Sequence, residues 1–247
     1  KMANYVNAKF RVAMNQTSAD YFIINGDDPE ITNKMQEFAG EQKVIRITED
    51  AFLQGIVSKD ASKVFELSIK GRHNLFNAAC VVEACRMLNL PEHAIATGLK
   101  SFVNLPHRLE SCGEINGIEF INDSKATNVD SVYYALDAMT KPVIWIAGGT
   151  DKGNDYSVLF PLVKNRVKAL ICLGMDNEKL KSSFKSHIPI IYETTKVSEA
   201  VETGLKLGES GDVVLLSPAC ASFDLFKNYM DRGDQFKACV EGLKISN

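Results

Sequence analysis

Short apolar runs alternate with longer segments of helical periodicity along most of the chain. Val143–Ala147 and Val213–Leu216 are apolar at every position, which is typical of strands buried on both faces of a sheet. Strands that alternate with helices predict an α/β fold with a parallel sheet. The other predicted strands are Tyr21–Asn25, Lys43–Thr48, Gly55–Ser58, Val64–Ile69, Ile118–Asn122, Ala169–Leu173 and Ile188–Tyr192.

The segments between these strands predict helices. Gly26-Asp27-Asp28-Pro29 combines a turn with a helix-start signal. Asn74–Leu90 is apolar on nearly every side, which indicates a buried helix. The other predicted helices are Ala3–Met14, Pro29–Ala39, Ser131–Met139, Tyr156–Asn165, Asn177–Lys185, Val197–Leu207 and Phe223–Leu243.

The segment Leu105-Pro106-His107-Arg108 interrupts this pattern. Because a proline disfavours helix in the residue before it, the segment predicts a boundary between two domains, residues 1–104 and 105–247. The second domain is predicted to be a Rossmann-like, doubly wound α/β domain. The first domain starts with a helix that no strand precedes, so we expect the natural protein to extend further toward its N-terminus.

The composition of the 247-residue chain narrows the range of partners. Its formal net charge is -3 at pH 7, which gives no reason to expect a nucleic acid or a membrane as partner. No apolar run is long enough to span a bilayer. The six cysteines form no CxxC pair, so free thiols in a reducing cytoplasm are favoured over disulfides or a zinc site. We expect a cytoplasmic monomer.

Polar segments follow three predicted strands of the second domain. They are Asn122–Asn128, Gly148–Gly153 and Ser217–Ser222, and the last is predicted to open the final helix. In open parallel sheets, ligands bind beyond the carboxyl ends of the strands. We therefore expect the three segments to meet at one edge of the sheet.

The residue types in these segments suit a small anion. Lys125, Thr127 and Lys152 offer donors, Asp123 can accept from hydroxyl groups, and a helix beginning at Ser222 would add a partial positive charge. Each residue alone also has an ordinary explanation, because a loop lysine is usually solvated and a serine there is usually a helix cap. Their coincidence at three strand ends favours a binding site.

The glycine-rich segment Gly148–Gly153 matches neither common nucleotide-binding fingerprint. Its sequence, GGTDKG, lacks both the GxGxxG spacing of nicotinamide-binding Rossmann domains and the Gly-Lys-Ser/Thr ending of a P-loop. No complete P-loop sequence occurs in the 247 residues. The segment therefore argues against a nicotinamide-dependent dehydrogenase.

Five stretches together resemble the Mur ligase superfamily. They are Gly71–Ala78 (GRHNLFNA), Leu105–Glu110 (LPHRLE), Asn122–Asn128 (NDSKATN), Gly148–Gly153 and Leu216–Phe226 (LSPACASFDLF). The first two are shared across the superfamily, whereas NDSKATN and SPACASFD resemble its glutamate-adding branch. The resemblance covers essentially the whole chain.

This resemblance implies an ATP-dependent ligase that forms an amide. In that chemistry ATP phosphorylates the carboxylate of UDP-N-acetylmuramoyl-L-alanine, and the amine of D-glutamate displaces phosphate from the acyl phosphate. Carried over by position, the residues that bind D-glutamate are Lys125, Thr127, Lys152, Ser222, Phe223 and Tyr229. Of these, the candidate catalytic residues are Lys125, Thr127 and Lys152. The residues that bind ATP are Asn74, Asn77, Arg108 and Asp123.

Tyr229 departs from the family's pattern, and Lys9 is the metal ligand that the resemblance implies if it is carbamylated. Tyr229 stands where the family usually has a phenylalanine. Lys9 lies in a segment, NAKFR, that resembles the family stretch whose carbamylated lysine helps to hold a second Mg²⁺, an ion that prefers oxygen ligands. The alternative is an ordinary surface lysine, and we expect Lys9 to be unmodified in this chain, in which the other residues of that metal site are missing.

By the same resemblance, residues 1–104 correspond to the later part of a central ATPase domain, and residues 105–247 to a C-terminal ligase domain that binds the amino acid. We therefore expect this chain alone to be an inactive fragment that releases no phosphate from ATP. Two alternatives stay open. One is a ligase like folylpolyglutamate synthase, which also adds glutamate, and the other is a non-catalytic module that binds glutamate or a nucleotide.

Overall fold

The computed structural model describes residues 2–48, 65–68 and 72–246. The chain divides into two compact units, Lys1–Val103 and Asn104–Asn247, called here the N-terminal and the C-terminal unit. This division lies one residue from the boundary that Leu105-Pro106 predicts. The assignment of the two units to an ATPase domain and a ligase domain stays a prediction.

The N-terminal unit contains a two-stranded parallel sheet and several helices. Its elements are α1 (Met2–Phe10), β1 (Tyr21–Asn25), α2 (Pro29–Glu37), β2 (Lys43–Ile47), α3 (Arg72–Met87) and α4 (Glu92–Ser101). Asp28 caps α2, because its carboxylate accepts a hydrogen bond from the backbone N–H of Ile31 at 3.0 Å. The helix α4 was not predicted. The predicted strand Gly55–Ser58 lies outside the described residues, and residues 65–68 of the predicted strand Val64–Ile69 are not a strand.

The C-terminal unit alternates strands with helices, as predicted. Its elements are β3 (Glu110–Ile115), β4 (Ile118–Asn122), α5 (Val129–Ala138), β5 (Val143–Gly148), α6 (Phe160–Arg166), β6 (Val167–Leu173), α7 (Glu178–Phe184), β7 (Ile190–Thr194), α8 (Val197–Leu207), β8 (Val213–Ala219) and α9 (Tyr229–Ser246). A short 3-10 helix, Ser157–Leu159, precedes α6. Among the described residues, no helix has both the length and the apolar character needed to cross a bilayer.

The six strands of this unit form one sheet in the order β3-β4-β8-β5-β6-β7. All neighbouring pairs are parallel except β3 and β4, which form an antiparallel hairpin. The predicted α/β class with a mostly parallel sheet is confirmed. The strand β3 was missed, although the turn Asn116-Gly117 between two isoleucines is a strong hairpin signal, and both turn residues adopt positive φ.

Two apolar layers cover the faces of this sheet. Side chains that alternate along β5 divide between them, so that Trp145 packs on the side of α5, α6 and α7 and Ile144 on the side of α8 and α9. Every residue of β5 and of β8 is buried. The core therefore holds the carboxyl ends of these two strands in fixed positions.

The indole of Trp145 links this core to the end of β8. It is fully buried, lies 5.2 Å from the ring of Phe184 in an edge-to-face arrangement, and donates from Nε1 to the carbonyl oxygen of Ser217 at 2.7 Å. We expect Trp145→Ala to lower the free energy of unfolding by about 3–5 kcal/mol, because it leaves a large cavity. Urea denaturation measures this difference.

A conservative variant separates the two contributions of Trp145. Trp145→Phe keeps most of the buried apolar area but leaves the Ser217 carbonyl without its donor, at an expected cost of about 1–3 kcal/mol. The control is Val158→Ala, at a half-exposed position, for which we expect a change of no more than about 0.5 kcal/mol. Equal stability of the Trp145→Ala and Val158→Ala variants would contradict this description of the core.

Candidate functional site

The three polar segments that the sequence singled out follow three adjacent strands. Asn122–Asn128 begins at the end of β4, Gly148–Gly153 at the end of β5, and Ser217–Ser222 at the end of β8. Because β8 lies between β4 and β5, with all three strands parallel, the segments meet at one edge of the sheet. This is the edge at which open α/β sheets bind their ligands.

Two backbone hydrogen bonds join the three segments directly. The N–H of Ala219 donates to the carbonyl oxygen of Ala126 at 2.9 Å, and the N–H of Thr150 donates to that of Ala221 at 2.8 Å. Thr127 and Ser222 are each adjacent to one of these bonds, and Lys152 lies two residues from Thr150. The residues that are predicted to bind the amino acid therefore lie on loops whose backbones are hydrogen-bonded to one another.

Gly149 permits this close approach of two loops. Its φ is +122°, and a Cβ atom placed there would lie 2.2 Å from the carbonyl oxygen of Ala221. Any side chain at Gly149 would therefore separate the two loops that the Thr150–Ala221 hydrogen bond joins. The glycine pair of GGTDKG has a packing explanation that involves no phosphate.

Three of the predicted ligands have side chains that are available to a bound molecule. Within the parts of the chain that the structure describes, the side chains of Lys152, Thr127 and Ser222 make no hydrogen bond or ion pair. Lys152 and Thr127 are exposed, whereas Ser222 is only 3% exposed. The Ser222 hydroxyl is nevertheless not one of the buried polar atoms that lack a partner, so all three side chains can donate to a bound molecule.

Lys125 and Tyr229 form a pair at the same site. The Nζ atom of Lys125 donates to the Tyr229 hydroxyl at 2.9 Å and lies 4.5 Å from the centre of the Tyr229 ring. The Tyr229 and His107 rings pack edge to face, with their centres 5.9 Å apart. The Tyr229 hydroxyl therefore holds Lys125 in one orientation. Phe223, by contrast, is 69% exposed.

Asp123 is nearly buried beneath the other predicted ligands. It is 7% exposed, and it accepts hydrogen bonds from the Ser217 hydroxyl at 2.8 Å and from the N–H of Leu109 at 3.2 Å. Burial raises the pKa of Asp123 to about 7, and these two hydrogen bonds and the exposed Arg108 guanidinium only partly offset that effect. Ser217, to which the sequence analysis gave no individual role, thus orients the carboxylate of Asp123, which the resemblance predicts to bind ATP.

Asp151 shapes the loop after Gly149 and is not free for a ligand. Its carboxylate accepts from the Lys179 ammonium at 2.8 Å, from the Tyr156 hydroxyl at 2.7 Å and from the N–H of Gly153 at 2.7 Å. Burial raises the pKa of Asp151, but the hydrogen bonds from Lys179, Tyr156 and the backbone outweigh it and bring the pKa to about 2. Asp151 therefore remains ionised at neutral pH as the anchor of this loop.

A cavity of about 290 Å³ adjoins this loop but contains none of the predicted glutamate ligands. Its lining includes three acidic residues, Asp151, Asp176 and Asp224. It also includes Lys179, whose ammonium is already paired with Asp151. Carboxylates repel a dicarboxylic acid, so this cavity does not suit glutamate. The residues that are predicted to bind D-glutamate lie on the loops at the strand ends, outside this cavity.

The final helix begins later than the sequence analysis predicted. It starts at Tyr229, and residues 223–228 form turns, so the prediction that Ser222 opens the helix is wrong. The side chain of Asn228 accepts from the N–H of Asp231 at 2.9 Å, and the Asp231 carboxylate accepts from the N–H of Lys227 at 3.0 Å. This reciprocal cap, with Asn and Asp three residues apart, was readable in the sequence.

The remaining predicted ligands lie in the N-terminal unit. Asn74, which is buried, and Asn77, which is exposed, both line a largely apolar cavity of about 360 Å³ between α3 and α4. Lys9 is exposed on α1, and its Nζ atom lies 5.3 Å from the centre of the Tyr5 ring. Among the described residues, no group of three or more His, Cys, Asp or Glu side chains is placed to hold a metal ion.

Comparisons with known proteins agree with the sequence motifs. Residues 107–220 match the family described as Mur ligase, glutamate ligase domain. The UDP-N-acetylmuramoylalanine–D-glutamate ligase of Christiangramia forsetii is 44% identical, over 98% of this chain and 58% of its own length. The ligase of the same name from Bacteroides fragilis is 41% identical, over 98% of this chain and 57% of its own length. The chain thus spans a little over half the length of these curated relatives.

Solved structures share the fold at low sequence identity. The MurF ligase from Thermotoga maritima, determined in complex with ADP, has a TM-score of 0.70 and 13% identity over 98% of this chain and 59% of its own. Folylpolyglutamate synthase from the same organism has a TM-score of 0.63 and 15% identity over 98% of this chain and 58% of its own. These likenesses show the fold alone, whereas the sequence of residues 107–220 is similar to the glutamate ligase domain of Mur ligases.

Proposed function

We propose that this chain is part of an ATP-dependent ligase that adds D-glutamate to UDP-N-acetylmuramoyl-L-alanine in peptidoglycan synthesis, and that its C-terminal unit binds the D-glutamate. One observation carries the proposal. The side chains of Lys152, Thr127 and Ser222, which have no partner among the described residues, lie on three loops that backbone hydrogen bonds join at one sheet edge. The names of the curated relatives support the same substrate.

The donors at this edge fit a dicarboxylic amino acid. A lysine ammonium and two hydroxyl groups can bind carboxylate oxygens through charge-assisted hydrogen bonds. Lys125, held by the Tyr229 hydroxyl, adds a second positive charge. Both carboxylates of D-glutamate can be held in this way, which leaves its amine outside the hydrogen-bonded set and free to react.

The proposed reaction depends on positioning more than on acid–base chemistry. The amine of D-glutamate attacks the acyl carbon of the acyl phosphate, the new C–N bond forms, and the C–O bond to phosphate breaks. The attacking nitrogen loses a proton, and phosphate leaves with the electron pair of the broken bond. Fixing the two carboxylates supplies the orientation that lowers the barrier, and lysine charges stabilise the developing negative charge.

We assign the nucleotide-binding residues separately in each unit. In the C-terminal unit, Arg108 is exposed and can reach phosphate oxygens, while Asp123 can accept from ribose hydroxyls. In the N-terminal unit, the apolar cavity beside Asn74 and Asn77 suits a flat adenine ring with amide groups at its edge. We assign no described residue to Mg²⁺, because no group of three or more His, Cys, Asp or Glu side chains that could hold a metal ion lies among them, and the metal stays a prediction from the resemblance.

The stereochemistry of the bound amino acid tests the proposal. We expect D-glutamate to give saturation-transfer NMR signals with the purified chain, and L-glutamate and glycine to give weak signals or none. Ser222→Ala should reduce the D-glutamate signal, because it removes one of the hydroxyl donors of the proposed site. Ser182→Ala, at an exposed position on α7, is the matched control.

Other outcomes separate the alternatives. A preference for L-glutamate would favour a ligase like folylpolyglutamate synthase, whose fold the chain shares. Equal signals for D-glutamate and glycine, from a chain that is folded by its amide spectrum, would sink the proposal of a dicarboxylate site.

A further inference from the structure

The guanidinium of Arg232 connects the three loops of the candidate site from below. Arg232 lies in the first turn of α9 and is only 1% exposed. Its Nε atom donates to the Ser124 hydroxyl at 2.9 Å, and Nη2 donates to the Ser124 carbonyl at 2.9 Å. The two Nη atoms also donate to the carbonyl oxygens of Cys220, at 3.3 Å from each, and Gly148, at 3.4 Å from Nη1.

Each of the three polar segments contributes one of these acceptor residues. Ser124 follows β4, Gly148 ends β5, and Cys220 follows β8. A planar guanidinium with five N–H donors can serve all three loops at once, which the single ammonium of a lysine cannot do. Arg232 therefore fixes the positions of the loops relative to one another.

Arg232 also acts on Tyr229 through Ser124. The Ser124 hydroxyl accepts from Arg232 and donates to the carbonyl oxygen of Tyr229 at 2.7 Å. The Tyr229 hydroxyl is the group that holds the Lys125 ammonium. Arg232 thus holds the backbone of Tyr229 through Ser124, and the side chain of Tyr229 contacts one of the two lysines of the candidate site.

The positive charge of Arg232 has no carboxylate partner. Among the described residues, no carboxylate oxygen lies within 4.0 Å of the guanidinium, and all its acceptors are neutral. Burial lowers the pKa of Arg232 to about 10, so the side chain is still protonated at neutral pH. A buried, unpaired charge destabilises a fold by itself, so its presence calls for a role beyond packing.

We propose that Arg232 is a positioning residue that pre-forms the amino-acid site by tying the three strand-end loops together. The inference rests on the proposed function in so far as it names the amino acid that binds. The charge of Arg232, which Asp224 offsets only in part because no carboxylate within the described residues forms an ion pair with it, also attracts the carboxylates of a bound amino acid.

Two substitutions of Arg232 test this role. We expect Arg232→Met to lower D-glutamate affinity at least tenfold, because the loops lose their common donor. Arg232→Lys keeps the charge but has a single donor nitrogen, so it should give an intermediate loss of affinity. The matched control is Arg166→Met. Arg166 also donates to backbone carbonyls, those of Asp137 and Met139, but at the opposite edge of the sheet, so its loss should leave affinity within twofold of the unsubstituted chain.

Amide hydrogen exchange provides a second readout that needs no ligand. We expect Arg232→Met to accelerate exchange at Thr150 and Ala219, whose N–H groups join the loops, at least tenfold relative to the core amide of Leu215. Arg166→Met should not do so. If the exchange rates of Thr150 and Ala219 change only as much as that of Leu215 in both variants, the positioning role is overturned.

The two readouts distinguish the possible failures. If the unsubstituted chain binds no D-glutamate, the proposed function fails, while hydrogen exchange still decides whether Arg232 positions the loops. If D-glutamate binds and Arg232→Met leaves its affinity unchanged, the positioning role fails and the proposed function stands. Should Arg232→Met not fold, Ser124→Ala, which removes the acceptor of Nε, replaces it in both measurements with the same expected directions.

Discussion

Replacing Lys152 with alanine is expected to weaken D-glutamate binding by about 1.5–3 kcal/mol, which corresponds to roughly a ten- to hundredfold loss of affinity. Lys152 is exposed, and its ammonium has no partner within the described residues, so a bound carboxylate does not have to compete with a protein acceptor. The free energy of unfolding should change little for the same reason. NMR titration of D-glutamate gives the affinity, and urea denaturation gives the stability.

Lys179→Ala is the control for this prediction. Lys179 also carries a positive charge near the strand ends, but its ammonium is paired with Asp151 at 2.8 Å. Its removal tests whether general positive charge at this edge is enough to explain binding. Equal losses of affinity in the two variants would show that Lys152 makes no direct contact with the amino acid.

The stability of the chain is expected to fall as pH rises from about 4 to 7 because of Asp123. The folded-state pKa of Asp123 is raised to about 7, above the ordinary value of 3.8, so the folded state holds a proton there that the unfolded state has lost. The stabilisation by the neutral form is complete below pH 4 and is lost as pH rises through 7. A shift of this size corresponds to a change on the order of 4 kcal/mol.

Asp123→Asn isolates this contribution. An asparagine stays neutral, can still accept from the N–H of Leu109, and can donate to the Ser217 hydroxyl, which reverses the direction of that hydrogen bond. The stability of the variant relative to the unsubstituted chain should therefore increase between pH 4 and pH 8. Exposed Asp130→Asn, in the first turn of α5, is the control, and a parallel pH dependence in all three proteins would contradict the assignment.

The elements with the strongest local signals could be predicted from the sequence. Val143–Ala147 and Val213–Leu216 are strands in the structure, and Val197–Leu207 is a helix with the predicted bounds. Apolar runs and helical periodicity report on burial directly, which explains these successes. The meeting of three polar segments at one sheet edge also followed from the general rule for parallel sheets.

Features that depend on tertiary contacts were not predicted. Nothing local in Val213–Leu216 indicates that β8 inserts between β4 and β5, because strand order is a long-range property. Arg232 looked like one charged residue of a helix, and only the packed structure shows its three loop contacts. The start of α9 and the β3–β4 hairpin are different, because Asn228 with Asp231, and Asn116 with Gly117, carried signals that were overlooked.

The strand order has a consequence for how this unit folds. The strands β4 and β5 are consecutive in the chain but do not pair, because the space between them belongs to β8, which is made last of the six. Until β8 enters, both neighbours expose unpaired backbone edges that can join other chains. Its entry closes a long loop, so it is expected to be slow. We therefore expect the strand-end edge that carries the candidate site to form in the final step of folding, so that a partly folded chain binds no amino acid.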